Sequence, residues 1–209
     1  MKLTDAQHKM TRTVLHLNLF LFALTSFFLN PHSTQAIGHT KFASPSRIDS
    51  YRSAPGSGEH VLHAVYVANV LDLPVVQQPA DNPYYVSDRN GEATQFAMVS
   101  QYGSVGLLAH NTLSGKYFSQ LAVGQEVQLI YGDGTVEYFV VAQILRFQAL
   151  QPDSISSIFR NLDRNETLSA SEMFNRAYVG ENRLVFQTCI AAKGNASWGR
   201  LFVIALPKE

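Results

Sequence analysis

From residue 61 onward the chain is a succession of short runs rich in β-branched and aromatic residues, separated by turn-forming stretches, and this pattern constrains the fold more than any other feature. VLHAVYVA (61–68), GLLAH (106–110), EVQLIY (126–131), TVEYFVVAQI (135–144), RLVFQTC (183–189) and RLFVIAL (200–206) all have the length and composition of strands. Gly132-Asp133-Gly134 lies between two of them and supplies residues that tolerate positive φ, so 126–144 reads as a hairpin. One segment departs from the pattern. In SISSIFRNLDRNETLSASEMFNRAY (154–178), Ile155, Ile158, Phe159 and Leu162, then Met173, Phe174 and Ala177, recur at helical spacing, which predicts two short helices. Ser169 followed three residues later by Glu172 is a capping-box signature for the second. No internal repeat is present. The expected architecture is a single all-β domain, barrel or sandwich, with a short helical insertion between two late strands.

Ahead of this domain, Lys2, Lys9 and Arg12 precede an apolar run from Val14 to Leu29 and a small-residue site, Thr34-Gln35-Ala36. That is the layout of an export signal. The run has sixteen residues and is interrupted by His16 and Asn18, short of the roughly 20 apolar residues that span a bilayer, so cleavage after Ala36 is the first reading. An uncleaved membrane anchor is the second. Residues 37–59 (including FASPSRIDSYRSAPGSGE) repeat Ser, Pro and Gly without apolar periodicity, as a flexible linker does. The expected organisation is therefore a signal peptide or anchor at 1–36, a linker at 37–59 and a folded domain at 60–209, exported to the cell surface or beyond.

The 209 residues carry 16 Lys and Arg against 16 Asp and Glu. Loss of residues 1–36 removes Lys2, Lys9, Arg12 and Asp5, leaving 13 bases, 15 acids and a formal charge of −2. This balance argues against nucleic-acid binding, which needs clustered bases to neutralise phosphates, and no nucleic-acid partner is expected. A single cysteine, Cys189, excludes an internal disulfide framework and any multi-cysteine metal site.

A free thiol outside the cell is exposed to oxidation, so its retention calls for a reason. One reading is a small buried hydrophobe, as most free cysteines are. The other is a nucleophile, which needs a histidine and a charge-stabilising group nearby. Cys189 is expected to end the strand RLVFQTC, just before the polar stretch IAAKGNASWG. By the two-residue period Val185, Gln187 and Cys189 share one face, as do Arg200, Phe202 and Ile204 on the next strand. If those strands pair as a hairpin, Arg200 meets Cys189 at one end of the sheet, where a guanidinium could favour a thiolate or stabilise an oxyanion. His110, at the end of GLLAH, has a similar strand-end position. His39 lies in the linker, and His60 and His63 stand at or near the start of the first strand.

These residues resemble the sortase family. LLAHNTLSGKYFSQLAVGQEVQLIYGDGTVEYFVV is similar to the sortase segment in which a histidine ends one strand and is followed by a small-residue loop, a Phe, a Leu, a Gly-containing turn and two strands. RLVFQTC resembles the family's strand ending in Thr-Cys, WGRLFVIA its last strand with an early arginine, and DLPVVQQP a Leu-Pro-Val stretch near its start. The resemblance runs from about residue 65 to 206. It implies a closed eight-stranded β-barrel and a cysteine transpeptidase: Cys189 the nucleophile, His110 the acid or base, Arg200 the oxyanion stabiliser, with no cofactor and no metal. The implied partners are a secreted protein or peptide bearing a sorting motif and an amine acceptor of the cell wall or a pilin, joined through a thioester. Ala109 stands where a Gly is common, Gln125 where an Asp is usual, and Val185-Phe186 where Thr-Leu is frequent, which leaves subclass and motif open.

L,D-transpeptidases also use Cys, His and Arg, but their arginine follows the cysteine almost directly, whereas here it is eleven positions on and no Ser-His-Gly precedes the cysteine. Papain-like peptidases place the cysteine early and the histidine late. The non-enzymatic alternative is a catalytically inactive sortase-like surface-binding module. Asn161, Asp163, Asn165, Thr167, Ser169 and Glu172 have the spacing of a calcium-binding EF-hand loop, but Asn stands at its first position and Glu166 at the sixth, where the turn wants Gly. Asn165-Glu-Thr and Asn195-Ala-Ser match the glycosylation sequon, a triplet common by chance, and Trp198 is expected in a loop, lining a groove or packing it.

Overall fold

The structure, a computed structural model, describes residues 60–154, 156–180 and 182–209. The signal or anchor, the linker and Ile155 of the expected first helix lie outside the described residues. The described strands are β1 (Leu62–Val67), β2 (Leu71–Gln77), β3 (Ala93–Gln95), β4 (Ser104–Leu108), β5 (Glu126–Tyr131), β6 (Val136–Ala149), β7 (Ile158–Asn161), β8 (Thr167–Ser169), β9 (Arg183–Ala192) and β10 (Asn195–Pro207). A 3-10 helix spans Ala97–Tyr102, a single helical turn, α1, spans Gly115–Phe118, and α2 spans Ala170–Tyr178.

Strands β1, β2, β3, β4, β9, β10, β6 and β5 pair in that order, and β5 returns to β1, so eight strands close into a barrel; β7 and β8 extend from β6 as an arm. Pairs β2–β3 and β4–β9 are parallel, whereas β1–β2, β1–β5, β5–β6, β6–β10, β9–β10 and β3–β4 are antiparallel. Alternation fills the interior. Val65, Leu73, Leu107, Leu129, Phe139, Phe186, Leu201 and Val203 point inward and form one continuous buried cluster. A bulge in β1, where Leu62 and Ala64 oppose the successive residues Tyr131 and Ile130, lets Leu62 and Val65 both face inward despite their odd spacing.

The outer faces of β9 and β10 are covered as well. Val185, Cys189, Phe202 and Ile204 pack against Phe96 and Val99 at the 3-10 helix, Phe159 of β7, Leu168 of β8, and Met173, Phe174 and Tyr178 of α2. Burial on both faces explains why RLVFQTC and RLFVIAL read as nearly unbroken apolar runs rather than alternating ones.

The insertion differs from its expected form. Among the described residues only the second helix forms, with Met173, Phe174 and Ala177 buried and the capping box of Ser169 and Glu172 in place. The first is replaced by the β7–β8 hairpin, whose burial alternates: Ile158 is exposed, Phe159 buried, Arg160 exposed and Asn161 buried. Two effects favour the strand. The end of β6 outruns β5 and offers Phe147, Gln148 and Ala149 as partners for Asn161, Arg160 and Phe159. Polar side chains also satisfy local backbone groups in a way a helix would not use: Ser157 Oγ accepts from Gln151 N, and Asn161 Oδ1 accepts from Asp163 N at 2.9 Å.

The capping box yields a direct test. Ser169→Ala removes the acceptor for Glu172 N and one partner of the Glu172 carboxylate. It is expected to lower stability by about 1 kcal/mol, read from the urea midpoint with an unchanged slope.

Candidate active site

The site grows from the point where one strand of a parallel pair stops and the other continues. Strand β4 pairs with β9 up to Leu108↔Gln187, and β9 then runs on to Ala192 with only β10 beside it. Cys189 therefore does not end its strand. It lies within β9, in the section that has outrun β4, and IAAKGNASWG is a continuation of two strands around a two-residue reversal. Lys193 and Gly194 have φ of 51° and 76°, the mirror-image turn that suits right-twisted strands. A lysine at the first of these positions gives little sign of a turn in the sequence. Trp198, expected in a loop, is a half-buried residue of β10.

Beyond the last ladder pair, two further bonds hold the strands together. Ala109 N donates to Gln187 O at 3.3 Å, and Thr188 Oγ1 donates to Ala109 O at 2.8 Å. His110 follows at once, and its carbonyl accepts from Leu113 N and Gly115 N, each at 2.9 Å, which folds the chain into α1. Gly115 packs against this knot: a Cβ there would stand 2.2 Å from Thr188 Oγ1 and 2.7 Å from the carbonyls of Ala109 and His110.

Register brings the three predicted residues into one row. In the parallel pair, Leu108 opposes Gln187, so His110, two residues on, is carried to the level of Cys189. On the other side Arg200 is the direct cross-strand partner of Cys189. Leu108, Val185 and Phe202 belong to the outer cluster with Cys189, so the row lies on the outer face. The pairing of Arg200 with Cys189 and the shared faces match the sequence expectation.

Cys189 is 6% exposed and Arg200 only 1%. A buried guanidinium needs hydrogen-bond acceptors, and Arg200 Nη1 donates to Ser197 O at 3.0 Å and Gly199 O at 2.9 Å. Those carbonyls come from a bulge between Asn195 and Gly199, where the register against β9 shifts. The bulge is tied in turn to the histidine side, because Asn111 Nδ2 donates to Ala196 O at 2.9 Å.

His110 is half-buried beside the loop that joins β2 to β3. Burial lowers its pKa below the ordinary 6.5, and this outweighs the hydrogen bond to the Val86 backbone and the Asp88 carboxylate, both of which favour the cation. The imidazole is thus disposed to be neutral at pH 7, as a proton acceptor must be.

Gln187, which the two-residue period puts on the cysteine's face, is held from elsewhere in the chain: its Oε1 accepts the hydroxyl of Tyr178, from the end of α2. Asn111 and Tyr178 carried no signal, because their partners lie 85 and 9 residues away across separate elements. His60 stacks on Tyr131 with ring centroids 4.0 Å apart and contacts Asp133 at 2.9 Å, at the opposite end of the barrel. A cavity lined by Val105, Tyr131, Arg183 and Pro207 also opens at that end, away from Cys189.

The EF-hand spacing is not realised as a helix–loop–helix, since strands β7 and β8 flank the turn. Its carboxylates have other partners: Glu166 pairs with Arg176, and Glu172 is held by Ser169. Among the described residues no group of three or more His, Cys, Asp or Glu could hold a metal ion, and no helix is long and apolar enough to cross a membrane.

No protein-family model and no curated protein matches the chain. Solved structures with a similar chain path are sortases. Sortase C1 from Streptococcus suis superposes with a TM-score of 0.49 at 14% identity, covering 92% of this chain and 94% of that one. Streptococcus agalactiae sortase C1, in complex with MTSET, gives 0.46 at 14%, covering 100% and 91%. Sortase E1 from Streptomyces coelicolor, with a tripeptide in its active site, gives 0.44 at 16%, covering 75% and 92%. The row of side chains around Cys189 bears the functional reading alone.

Two measurements probe this arrangement. Thr188→Val keeps the volume but leaves the Ala109 carbonyl without its donor, and is expected to cost about 1–2 kcal/mol in chemical denaturation. His110 should titrate by NMR with a midpoint below 6.5. A histidine whose folded pKa is depressed contributes stability that is present above its unfolded pKa and is lost as pH falls through the folded one. Wild type should therefore lose more stability than His110→Gln as the pH is lowered from about 6.5.

Proposed function

We propose that this chain is an exported cysteine transpeptidase of the sortase type, acting at the cell surface. The observation that carries the reading is the direct pairing of Cys189 with Arg200 across β9 and β10, with His110 two residues past the end of the neighbouring β4, the three in the order of the sortase motifs. An idle buried cysteine needs neither a neighbouring neutral imidazole nor a fully buried guanidinium opposite it.

The chemistry follows from those groups. His110 takes the Cys189 proton, and the thiolate attacks a peptide carbonyl carbon of the sorting motif in a secreted protein. The tetrahedral oxygen carries the negative charge, and Arg200 offsets it. Collapse breaks the carbon–nitrogen bond, the departing amine takes the proton from His110, and a thioester on Cys189 remains. An amine of the cell wall or of a pilin then attacks the thioester, gives its proton to His110 and releases the thiol; water in its place gives hydrolysis. No metal or cofactor enters any step.

Incubation with a peptide library bearing Leu-Pro-containing motifs tests this. Intact protein should gain the mass of an acyl group on Cys189, and Cys189→Ala should gain none. His110→Ala and Arg200→Ala should slow adduct formation by at least about a hundredfold. A Cys189 thiol that forms no adduct and resists a thiol alkylating reagent would remove the enzyme reading and leave a binding module.

A further inference from the structure

Gln187 stands two residues before Cys189 on the same outer face of β9, where the strand rise places their Cα atoms about 7 Å apart. It is 3% exposed, and its Nε2 has no hydrogen-bond partner. An amide buried in that state is destabilising, and folded chains rarely keep one without a use for it.

The orientation of the amide is fixed from one side. Tyr178 is fully buried, its hydroxyl donates to Gln187 Oε1, and its ring meets Phe96, Phe174 and Phe202 at 5.6, 5.1 and 5.8 Å. Its carbonyl accepts from Ser104 Oγ at 2.6 Å, and its ring lies 3.4 Å from a Cβ placed on Gly106. Ser104 and Gly106 are in register with Arg183 and Val185, so Tyr178 approaches Gln187 from the early end of β9. Trigonal amide geometry turns Nε2 away from that contact.

We infer that Gln187 is a positioning residue for the nucleophile: Tyr178 holds its carbonyl, and its orphaned amide nitrogen donates to the Cys189 sulfur when that atom carries negative charge. The inference rests on the reading of Cys189 as a nucleophile and deepens it. A neutral donor held in a dry setting stabilises the anion without adding a charge that would compete with Arg200 for the oxyanion.

The test is alkylation of Cys189 by iodoacetamide at pH 7, with thiolate absorbance near 240 nm as a spectroscopic readout, on wild type, Gln187→Met, Tyr178→Phe and the double variant. Methionine fills the glutamine volume without a donor. Gln187→Met should alkylate about tenfold more slowly and lose absorbance, with a Tm close to that of wild type. Tyr178→Phe should give a smaller loss, and adding it to Gln187→Met should cost nothing further, since the strut has no donor left to aim. A rate for Gln187→Met within about twofold of wild type overturns the inference, as do losses that simply add. If Gln187→Met does not fold, wild-type alkylation by Tyr178→Phe overturns it. A wild-type thiol that is never alkylated sinks the nucleophile reading and this inference with it, whereas a reactive thiol indifferent to both substitutions sinks the inference alone.

Discussion

The bond from Thr188 Oγ1 to the Ala109 carbonyl is the interaction on which the site depends. A parallel pair is somewhat less stable per residue than an antiparallel one, and its ends fray unless something other than the ladder holds them. Here a side chain extends the pairing by one residue at the point where β4 must leave the sheet to enter α1. That extension brings His110 level with Cys189. Gly115 makes it possible, since any larger residue would occupy the space of the threonine hydroxyl.

The second support is a buried cation. Taking a guanidinium out of water costs several kcal/mol unless polar groups replace the lost hydration. Ser197 and Gly199 supply carbonyls because β10 bulges between Asn195 and Gly199. Gly199 also lies so close to β6 that a Cβ would be 2.4 Å from the Phe147 carbonyl, so the strands beneath the cation pack backbone to backbone. Asn111 ties this bulge to the residue after the histidine. The three groups of the row are therefore held by a connected set of bonds.

What could be read from the sequence was what local rules determine. The hairpin at 132–134 follows from its glycines, the start of α2 from Ser169 and Glu172, and the shared face of Arg200, Phe202 and Ile204 from a two-residue period. Strand β2 stayed hidden because Asp72 and Pro74 break its apolar run; Pro74 is tolerated because it precedes the pairing of β2 with β3 at Val75↔Ala93, leaving an edge where a missing N–H costs no ladder bond. The β7 segment reads as a helix because Ile158, Phe159 and Leu162 fit either period, and the choice belongs to the free end of β6, which no local rule can see. The row itself was only half legible. A hairpin predicts that Arg200 meets Cys189, but His110 reaches them through a parallel pairing between strands nearly 80 residues apart in sequence, and Asn111 and Tyr178 act across distances that leave no local trace.

Closure of the barrel has one more consequence. The eight strands spend most of their edge hydrogen bonds on one another, and among the described residues the edges left open are short: β8 at the tip of the arm, β2 before Val75, and β9 beyond Gln187, beside Cys189. A long, flat, unpaired edge is a template on which another chain can add as an extra strand, and closure leaves only short ones among the described residues, so the fold itself guards against edge-to-edge aggregation.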